Sequence, residues 1–288
     1  MEQVKNEAER LITAIEGDKR LDAVSNPLAG WVKKLTARTA IKNLLSGTWL
    51  GHQLHPMLTD LPIGAWVAAS VVDVTAGERG ADAAQKLVGF GVLSAVPTAA
   101  AGASDWADLY GPTQRTGLVH GIVNAAGTVL QLSSWLARRR GARAVGVTLS
   151  LVGLSLTLGS AYLGGHLTLI RGVGVNHTAF QGGTTKWTDV AAASDLADRT
   201  PVRVMAGKVP VVLVRATGEI RALSATCTHE GGPLDEGTVD ESGCITCPWH
   251  RSRFRLADGS VSRGPATAPE PTWDVKVEDE RVWVKRSA

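Results

Sequence analysis

Four long apolar stretches dominate the chain between residues 50 and 170. They consist mainly of Ala, Gly, Val, Leu, Ser and Thr, and the connections between them are short. Each stretch approaches or exceeds the roughly 20 apolar residues that an α-helix needs to cross a bilayer. The stretches run from about His55 to Thr75, Leu87 to Ser104, Thr116 to Ala137 and Ala144 to Ile170.

The pattern within these stretches favours membrane helices over a soluble bundle. A helix on the outside of a soluble bundle has a polar face, and the second to fourth stretches have none. Small residues, which let membrane helices pack closely, are dense in all four. We therefore predict a four-transmembrane-helix bundle over residues 49–170, preceded by a polar segment over residues 1–48.

The pattern changes after residue 170. Residues 171–186 are Gly-rich and predict an irregular linker. From Trp187 onward, short β-branched runs are separated by Gly, Asp and Glu, which predicts a small all-β domain over residues 187–288. The predicted fold class is therefore α + β, with two domains. The candidate strands are Val202–Val204, Val209–Val214, Ile220–Ala222, Val275–Val277 and Val282–Val284.

Composition and charge narrow the function classes. The 288 residues are 44% hydrophobic and 20% charged, with a formal net charge of +3. That charge is too small and too scattered to indicate a nucleic-acid partner. The polar residues that follow Met1 contain no apolar core of a signal peptide, so we expect no cleaved signal.

The candidate chemistry lies in two Cys-His pairs in the last third of the chain. Cys227 and His229 form a Cys-x-His pattern, and Cys247 and His250 form a Cys-x-x-His pattern, with residues 230–246 between them. A [2Fe–2S] cluster with two Cys on one iron and two His on the other needs this ligand set. Structural zinc sites also use two Cys and two His, so the spacing alone leaves both open.

The residues around these pairs resemble the two cluster loops of the Rieske iron–sulfur family. The loops read Cys-Thr-His-x-Gly-x-x-Leu from Cys227 and Cys-Pro-x-His-x-Ser-x-Phe from Cys247, and the resemblance covers about residues 186–288. It implies a small all-β fold with Cys227, His229, Cys247 and His250 as the cluster ligands. A zinc site would not require the flanking Gly, Pro, Ser and Phe, so these residues favour the cluster.

Departures from the family pattern predict a low reduction potential. High-potential members tie the two loops together with a second Cys pair, whose positions here are Gly232 and Trp249, and they place Tyr where this chain has Phe254. Ser252 is retained as a donor to the cluster. Because fewer donors to sulfur stabilise the reduced cluster less, we expect a potential in the lower part of the family range of about −150 to +300 mV. The third cysteine, Cys244, is typical of a small buried strand residue.

Three histidines suggest a second site in the helical half. That half resembles a four-helix integral-membrane family whose first helix opens with His-Pro and Leu-Pro-Ile-Gly, a resemblance that implies no activity. If all four stretches cross, then His55, His120 and His166 lie on the same side as the cluster domain. They could bind a metal ion, ligate haem b or line a quinone pocket. The alternative is interfacial histidines bonded to loop carbonyls and lipid headgroups.

The sequence thus predicts a membrane-anchored carrier of single electrons between the cluster and a membrane or soluble partner, a protein or a quinone. It would be a component of an oxidoreductase system rather than a stand-alone catalyst. The alternative is a redox-sensing or assembly protein that uses the cluster as a switch without turnover. An oxygenase needs a further iron bound by two His and a carboxylate, and no His follows His250.

The side of the membrane is decided only weakly by the sequence. Lys and Arg near the helix ends are almost balanced between the two sides, so the positive-inside rule does not discriminate. The missing export signal favours a cytoplasmic cluster domain.

Overall fold

The computed structural model describes residues 2–287, which fold into two compact units. The first unit contains the described residues up to Ala37 together with Leu54–Val173, and the second contains Arg38–Gln53 and the described residues from Gly174 onward. The segment Arg38–Gln53 thus belongs to the same unit as the predicted β domain, which the hydrophobic pattern did not predict.

Seven α-helices occupy the described residues before the strands begin. All belong to the first unit except α3, which belongs to the second. They are α1 (Glu2–Gly17), α2 (Asp22–Leu35), α3 (Thr39–Ser46), α4 (Leu54–Ala76), α5 (Ala81–Trp106), α6 (Gly111–Arg139) and α7 (Arg143–Gly165), and α7 ends in a π-turn, His166–Ile170.

The buried side chains of helices α4–α7 are mostly small or polar, whereas many exposed side chains of these helices are large and apolar. The Trp66 indole packs against Gly91, where a side-chain carbon would overlap the ring, and Arg138 forms a buried ion pair with Asp73. Many large apolar side chains point outward instead. The most exposed include Val71, Val74, Phe90, Leu93, Val96, Ile122, Val129 and Val145.

Two helical stretches of the described chain are long and apolar enough to cross a membrane, Leu54–Trp106 and Arg143–Ile170. The first of them contains both α4 and α5. Helix α6 does not qualify, and it carries polar residues such as Gln114, Asn124 and Gln131. The four crossings therefore stay a prediction, whereas the order of a helical region followed by a small all-β domain is confirmed.

The all-β domain consists of two antiparallel sheets. Sheet one has the strand order β1-β10-β9-β4-β3-β2 and sheet two has the order β5-β6-β7-β8. The strands are β1 (Thr188–Ala192), β2 (Val202–Ala206), β3 (Val209–Ala216), β4 (Glu219–Ser224), β5 (Thr238–Val239), β6 (Cys244–Thr246), β7 (Arg253–Arg255), β8 (Val261–Arg263), β9 (Thr272–Glu278) and β10 (Arg281–Arg286).

Alternation along β3 gives the larger sheet two buried faces. Val212 and Val214 belong to a core shared with Ile245 and Phe254 of sheet two, whereas Val211 and Leu213 belong to the core on the opposite face. Successive strand residues point to opposite faces, so a continuous apolar run is buried on both sides. All five predicted strands are confirmed, and Cys244 lies in a strand, β6, as predicted, whereas β1, β5 and β8 were not predicted.

Candidate cluster site

Two tight loops carry the four predicted ligands. The first follows β4, and in it the Cys227 N–H donates to Gly232 O at 2.8 Å, while the Gly231 N–H donates back to Cys227 O at 2.9 Å. The second joins β6 to β7, with Cys247 N–H donating to Ser252 O at 2.9 Å. Each loop therefore fixes its cysteine at its start through main-chain bonds.

The two thiols lie side by side in the core. Cys227 and Cys247 are each 1% exposed. The Cys227 thiol donates to Cys247, and this bond lowers the pKa of Cys247 to about 7, helped by the N–H groups of Trp249 and His250. The same bond, together with burial, raises the pKa of Cys227. The loops thus direct main-chain donors at sulfur, which suits a thiolate ligand.

The two imidazoles face each other beside the thiols. Nδ1 of His229 lies 3.3 Å from Nδ1 of His250, and the rings are nearly perpendicular with centroids 4.9 Å apart. His229 is 8% exposed, whereas His250 is only partly buried. Burial, and then the nearby charges of His250, Lys42 and His177, hold the pKa of His229 well below its usual value. A neutral imidazole is the form that binds metal.

A third loop, residues 264–271 between β8 and β9, contacts both ligand loops. Ser252 is fully buried, and its Oγ accepts the N–H of Ala266 at 2.9 Å, which leaves the hydroxyl proton free to donate elsewhere. Glu270 is also buried, and its carboxylate accepts the Thr228 N–H at 2.6 Å. Burial raises the pKa of Glu270 to about 8.

Helix α3 holds this third loop from outside. The Asn43 side chain accepts the Gly264 N–H at 2.9 Å and donates to Ser262 O at 3.2 Å. Lys42 on the same helix is buried, with 3% exposure, and its charge acts on His229. Neither residue was predicted, because both lie far before the loops along the chain and no motif links them.

The residues fit a Rieske-type cluster. They provide two paired thiols and two paired imidazoles, which are the donors that the two irons of such a cluster require. A Cβ at Gly232 would lie 3.0 Å from Cys247 Sγ and 3.1 Å from the Trp249 ring, so glycine leaves room beside the sulfur. The predicted buried position of Cys244 is confirmed, since it is 5% exposed in β6.

The three histidines of the helical unit do not share one set of contacts. His55 and His120 form a ring contact with centroids 6.5 Å apart, while His166 Nε2 bonds to Glu16 at 3.2 Å. Within residues 2–287, no three or more His, Cys, Asp or Glu side chains are grouped for one metal ion. Nothing in the structure or the comparisons supports the three-histidine site, so it stays a prediction.

Comparisons with known proteins divide the chain in the same way. Residues 186–277 match the Rieske [2Fe-2S] domain, and residues 51–177 match DUF2231, a predicted membrane protein. Ferredoxin CarAc of Metapseudomonas resinovorans is 35% identical over 99 residues, which are 34% of this chain and 92% of that protein. The ferredoxin component of the naphthalene 1,2-dioxygenase system of Pseudomonas putida is 32% identical over 104 residues, 36% of this chain and 99% of that one.

Two further similarities each cover about a third of the chain. Human apoptosis-inducing factor 3 is 34% identical over 98 residues, which are 34% of this chain but only 16% of that protein. Among solved structures, the ferredoxin of carbazole 1,9a-dioxygenase from Nocardioides aromaticivorans IC177 is 28% identical and covers 34% of this chain and 96% of its own, with a TM-score of 0.34. The chain belongs to the Rieske [2Fe–2S] family of ferredoxin-type electron carriers, and its Rieske domain follows a DUF2231 membrane-protein domain.

Proposed function

We propose that this protein is a membrane-anchored Rieske electron carrier in which Cys227 and Cys247 bind one iron and His229 and His250 bind the other. The observation that carries the proposal is the pairing of thiol with thiol and imidazole with imidazole at the ends of two adjacent loops. When bound, the cluster supplies reversible one-electron chemistry. Domain boundaries at 49–170, 171–186 and 187–288 belong to the same proposal.

The protein's own groups adjust how easily an electron is accepted. Main-chain N–H groups of His229, Trp249 and His250 donate to the ligand sulfurs, and the Ser252 hydroxyl proton is available as a further donor. Phe254 is fully buried, and its side chain has no hydroxyl that could donate a further hydrogen bond to the cluster. We therefore expect the potential in the lower part of the range of about −150 to +300 mV.

Electrons enter and leave on the His250 side of the cluster loops. His250 is partly exposed and the neighbouring Trp249 is 51% exposed, whereas His229 is buried. A redox partner that docks on Trp249 reaches the imidazole edge of His250 directly. The relative that is the ferredoxin component of the naphthalene 1,2-dioxygenase system supports a partner protein here; a quinone is the other candidate.

Anchoring rests on helices α4–α7. Their outward apolar side chains and small inner residues suit a lipid environment, because membrane helices associate through close packing rather than through burial of apolar side chains. We propose that all four helices cross the bilayer and that the cluster domain lies in the cytoplasm. A reporter fused after Ala288, active only in the cytoplasm, tests the side; activity of a periplasm-only reporter would overturn it.

The electron-carrier proposal is tested on the full chain purified in detergent. We expect the cluster to take up one electron per chain on dithionite reduction and to return it to an added acceptor over repeated cycles. Cys247→Ser should abolish this reaction, whereas the matched variant Cys244→Ser, at a cysteine outside the ligand set, should retain it. A cluster that changes partner binding on reduction but does not pass its electron on would favour the sensor instead.

A further inference from the structure

Helices α4–α5 repeat the contacts of helices α6–α7. One constant shift along the chain takes each position in α4 to its equivalent in α6, and a second takes α5 to α7; Trp66 thus corresponds to Gln131 and Val88 to Ser150. Trp66 Nε1 donates to Val88 O at 3.4 Å, and the equivalent Gln131 Nε2 donates to Ser150 O at 3.0 Å. The shared partner is a main-chain carbonyl on the second helix of each hairpin.

His55 in α4 and His120 in α6 are equivalent by the same shift, and they also make equivalent hydrogen bonds. Nδ1 of His55 lies 2.9 Å from Thr98 O, and Nδ1 of the equivalent His120 lies 2.8 Å from Ser160 O. One turn further along the second helix, a glycine packs against each imidazole. A Cβ at Gly102 would overlap the His55 ring, and one at Gly164 would lie 3.1 Å from His120 Cε1.

Equivalent residues also meet each other across the two hairpins. His55 contacts His120 with ring centroids 6.5 Å apart, and near the opposite ends of the same helices Asp73 pairs with Arg138, its equivalent in α6. A pair of equivalent points that meet must lie beside the symmetry axis. We infer that α4–α5 and α6–α7 are two copies of one hairpin, related by a pseudo-twofold axis that runs between α4 and α6.

The two copies have diverged at most of these inward positions but not at the histidine. Trp66 corresponds to Gln131 and Asp73 to Arg138, and these pairs share neither size nor charge. Histidine, by contrast, stands at the same position in both copies, as do the glycines that make room for its ring. The retained pair is therefore the feature that the duplicated unit has in common at its axis.

The hydrogen bonds fix the tautomer of both rings. A carbonyl oxygen only accepts, so Nδ1 of His55 and of His120 carries the proton and Nε2 carries the lone pair. Metal-ligating histidines usually donate their other ring nitrogen to a carbonyl or carboxylate in this way. Asn124 already donates to Nε2 of His120 at 3.2 Å, so its amide would turn aside when that nitrogen binds a metal.

The spacing of the rings suits one metal centre between them. With metal–nitrogen bonds of about 2.0–2.1 Å, two imidazoles on opposite sides of one metal have centroids roughly 6.4 Å apart. No third His, Cys, Asp or Glu within residues 2–287 completes a ligand set there. We propose that His55 and His120 are the two axial ligands of a metal that brings its own equatorial ligands, an iron porphyrin.

The first test is haem and metal content of the full chain purified in detergent, before and after titration with haemin and, separately, with copper(I). We expect one haem per chain with the absorbance spectrum of a six-coordinate, bis-imidazole iron. Binding of one copper ion and no haem would overturn the porphyrin assignment. No binding of either would overturn the site, whatever the state of the Rieske cluster.

Asparagine variants separate ligation from a structural role. In His55→Asn and His120→Asn, the amide N–H can still donate to the Thr98 or Ser160 carbonyl, but no imidazole nitrogen remains. We expect each to weaken haem binding by more than about 100-fold, beyond the effect of losing an outer-shell partner, while His52→Asn, at an exposed histidine, binds as wild type. If both asparagine variants bind haem as wild type does, His55 and His120 have only a structural role. The Rieske EPR signal of each variant shows whether its cluster domain is still folded.

Discussion

At the scale of single residues, Arg251 stands out because it occupies a left-handed conformation next to a proposed ligand. Its φ is 62°, a region that costs a residue with a Cβ roughly 1–2 kcal/mol relative to glycine. The loop tolerates the arginine because hydrogen bonds to its main chain fix the turn on both sides. The Arg251 N–H donates to Cys247 O at 3.1 Å, and the Arg263 guanidinium donates to the Arg251 carbonyl at 3.2 Å.

Arg251→Gly should therefore stabilise the cluster domain. We expect the free energy of unfolding to rise by about 1 kcal/mol, since the strain disappears and both main-chain bonds remain. Chemical denaturation of the full chain, followed by loss of the cluster absorbance, measures it. The matched change Arg255→Gly in β7 should lower stability instead, because glycine weakens a strand. A loss of stability in Arg251→Gly would show that the arginine side chain matters more than the strain.

Ser252→Ala should lower the reduction potential. The variant removes one donor to the cluster, and a hydrogen bond to a charged group contributes about 1.5–3 kcal/mol, which corresponds to roughly 60–130 mV for one electron. A redox titration followed by EPR measures the shift. Ser260→Ala, at a more exposed serine whose Oγ accepts from Arg255 at 3.2 Å, should leave the potential unchanged. An unchanged potential in Ser252→Ala would mean that its hydroxyl does not reach the cluster.

Residue spacing predicted the four ligands but not their surroundings. Cys-x-His and Cys-x-x-His are local patterns, because the chemistry of each loop lies within one short run of the chain. Glu270, Asn43 and Lys42 reach the site only through tertiary packing, and each is an ordinary polar residue in its own segment. No sequence signal distinguishes such residues from solvent-exposed ones.

At the scale of elements, α3 has the least expected position. It is only 8 residues long, so it is too short to give a clear periodic pattern. Its Asn43 nevertheless bonds Gly264 N–H at the start of the third loop and Ser262 O in the preceding strand, β8. The long β-branched runs were predictable because their burial comes from the sheet itself. Strands β5–β8 have only two or three residues each, which is too few to show an alternating pattern.

Asn43→Ala should loosen the third loop. Loss of the bonds to Gly264 N–H and Ser262 O should lower the stability of the cluster domain by about 1–3 kcal/mol, because a buried main-chain group is left without its partner. Hydrogen exchange at Gly264 and the rate of cluster loss report the change. Leu44→Ala on the same helix, at a side chain that is 58% exposed, is the control. Equal losses of stability in Asn43→Ala and Leu44→Ala would mean that the Asn43 hydrogen bonds do not specifically stabilise the third loop.

At the scale of the whole molecule, the chain joins two units with opposite arrangements of polarity. The β domain buries its large apolar residues, whereas α4–α7 turn many of theirs outward and bury a salt bridge. Hydrophobic runs predicted these helices well. They did not reveal the repeated hairpin, because most of the equivalent side chains named above differ and the two copies share mainly contacts to main-chain atoms.

The buried ion pair of the helical unit gives a test at this scale. Arg138→Leu leaves the Asp73 carboxylate buried with Arg143 as its remaining partner, so we expect a loss of about 3–5 kcal/mol. The double variant Asp73→Leu, Arg138→Leu should recover most of it. Thermal stability in detergent measures both, with Arg139→Leu, at an exposed arginine, as the control. A double variant as unstable as the single one would contradict the pairing.

The most direct measurement of the central claim is EPR spectroscopy of the reduced full chain, combined with iron and sulfide analysis of the same sample. We predict a Rieske-type signal with two non-haem irons and two sulfides per chain, lost in His250→Ala and retained in the matched variant His177→Ala. A sample that holds zinc in place of iron and sulfide, or whose signal survives in His250→Ala, would contradict the account.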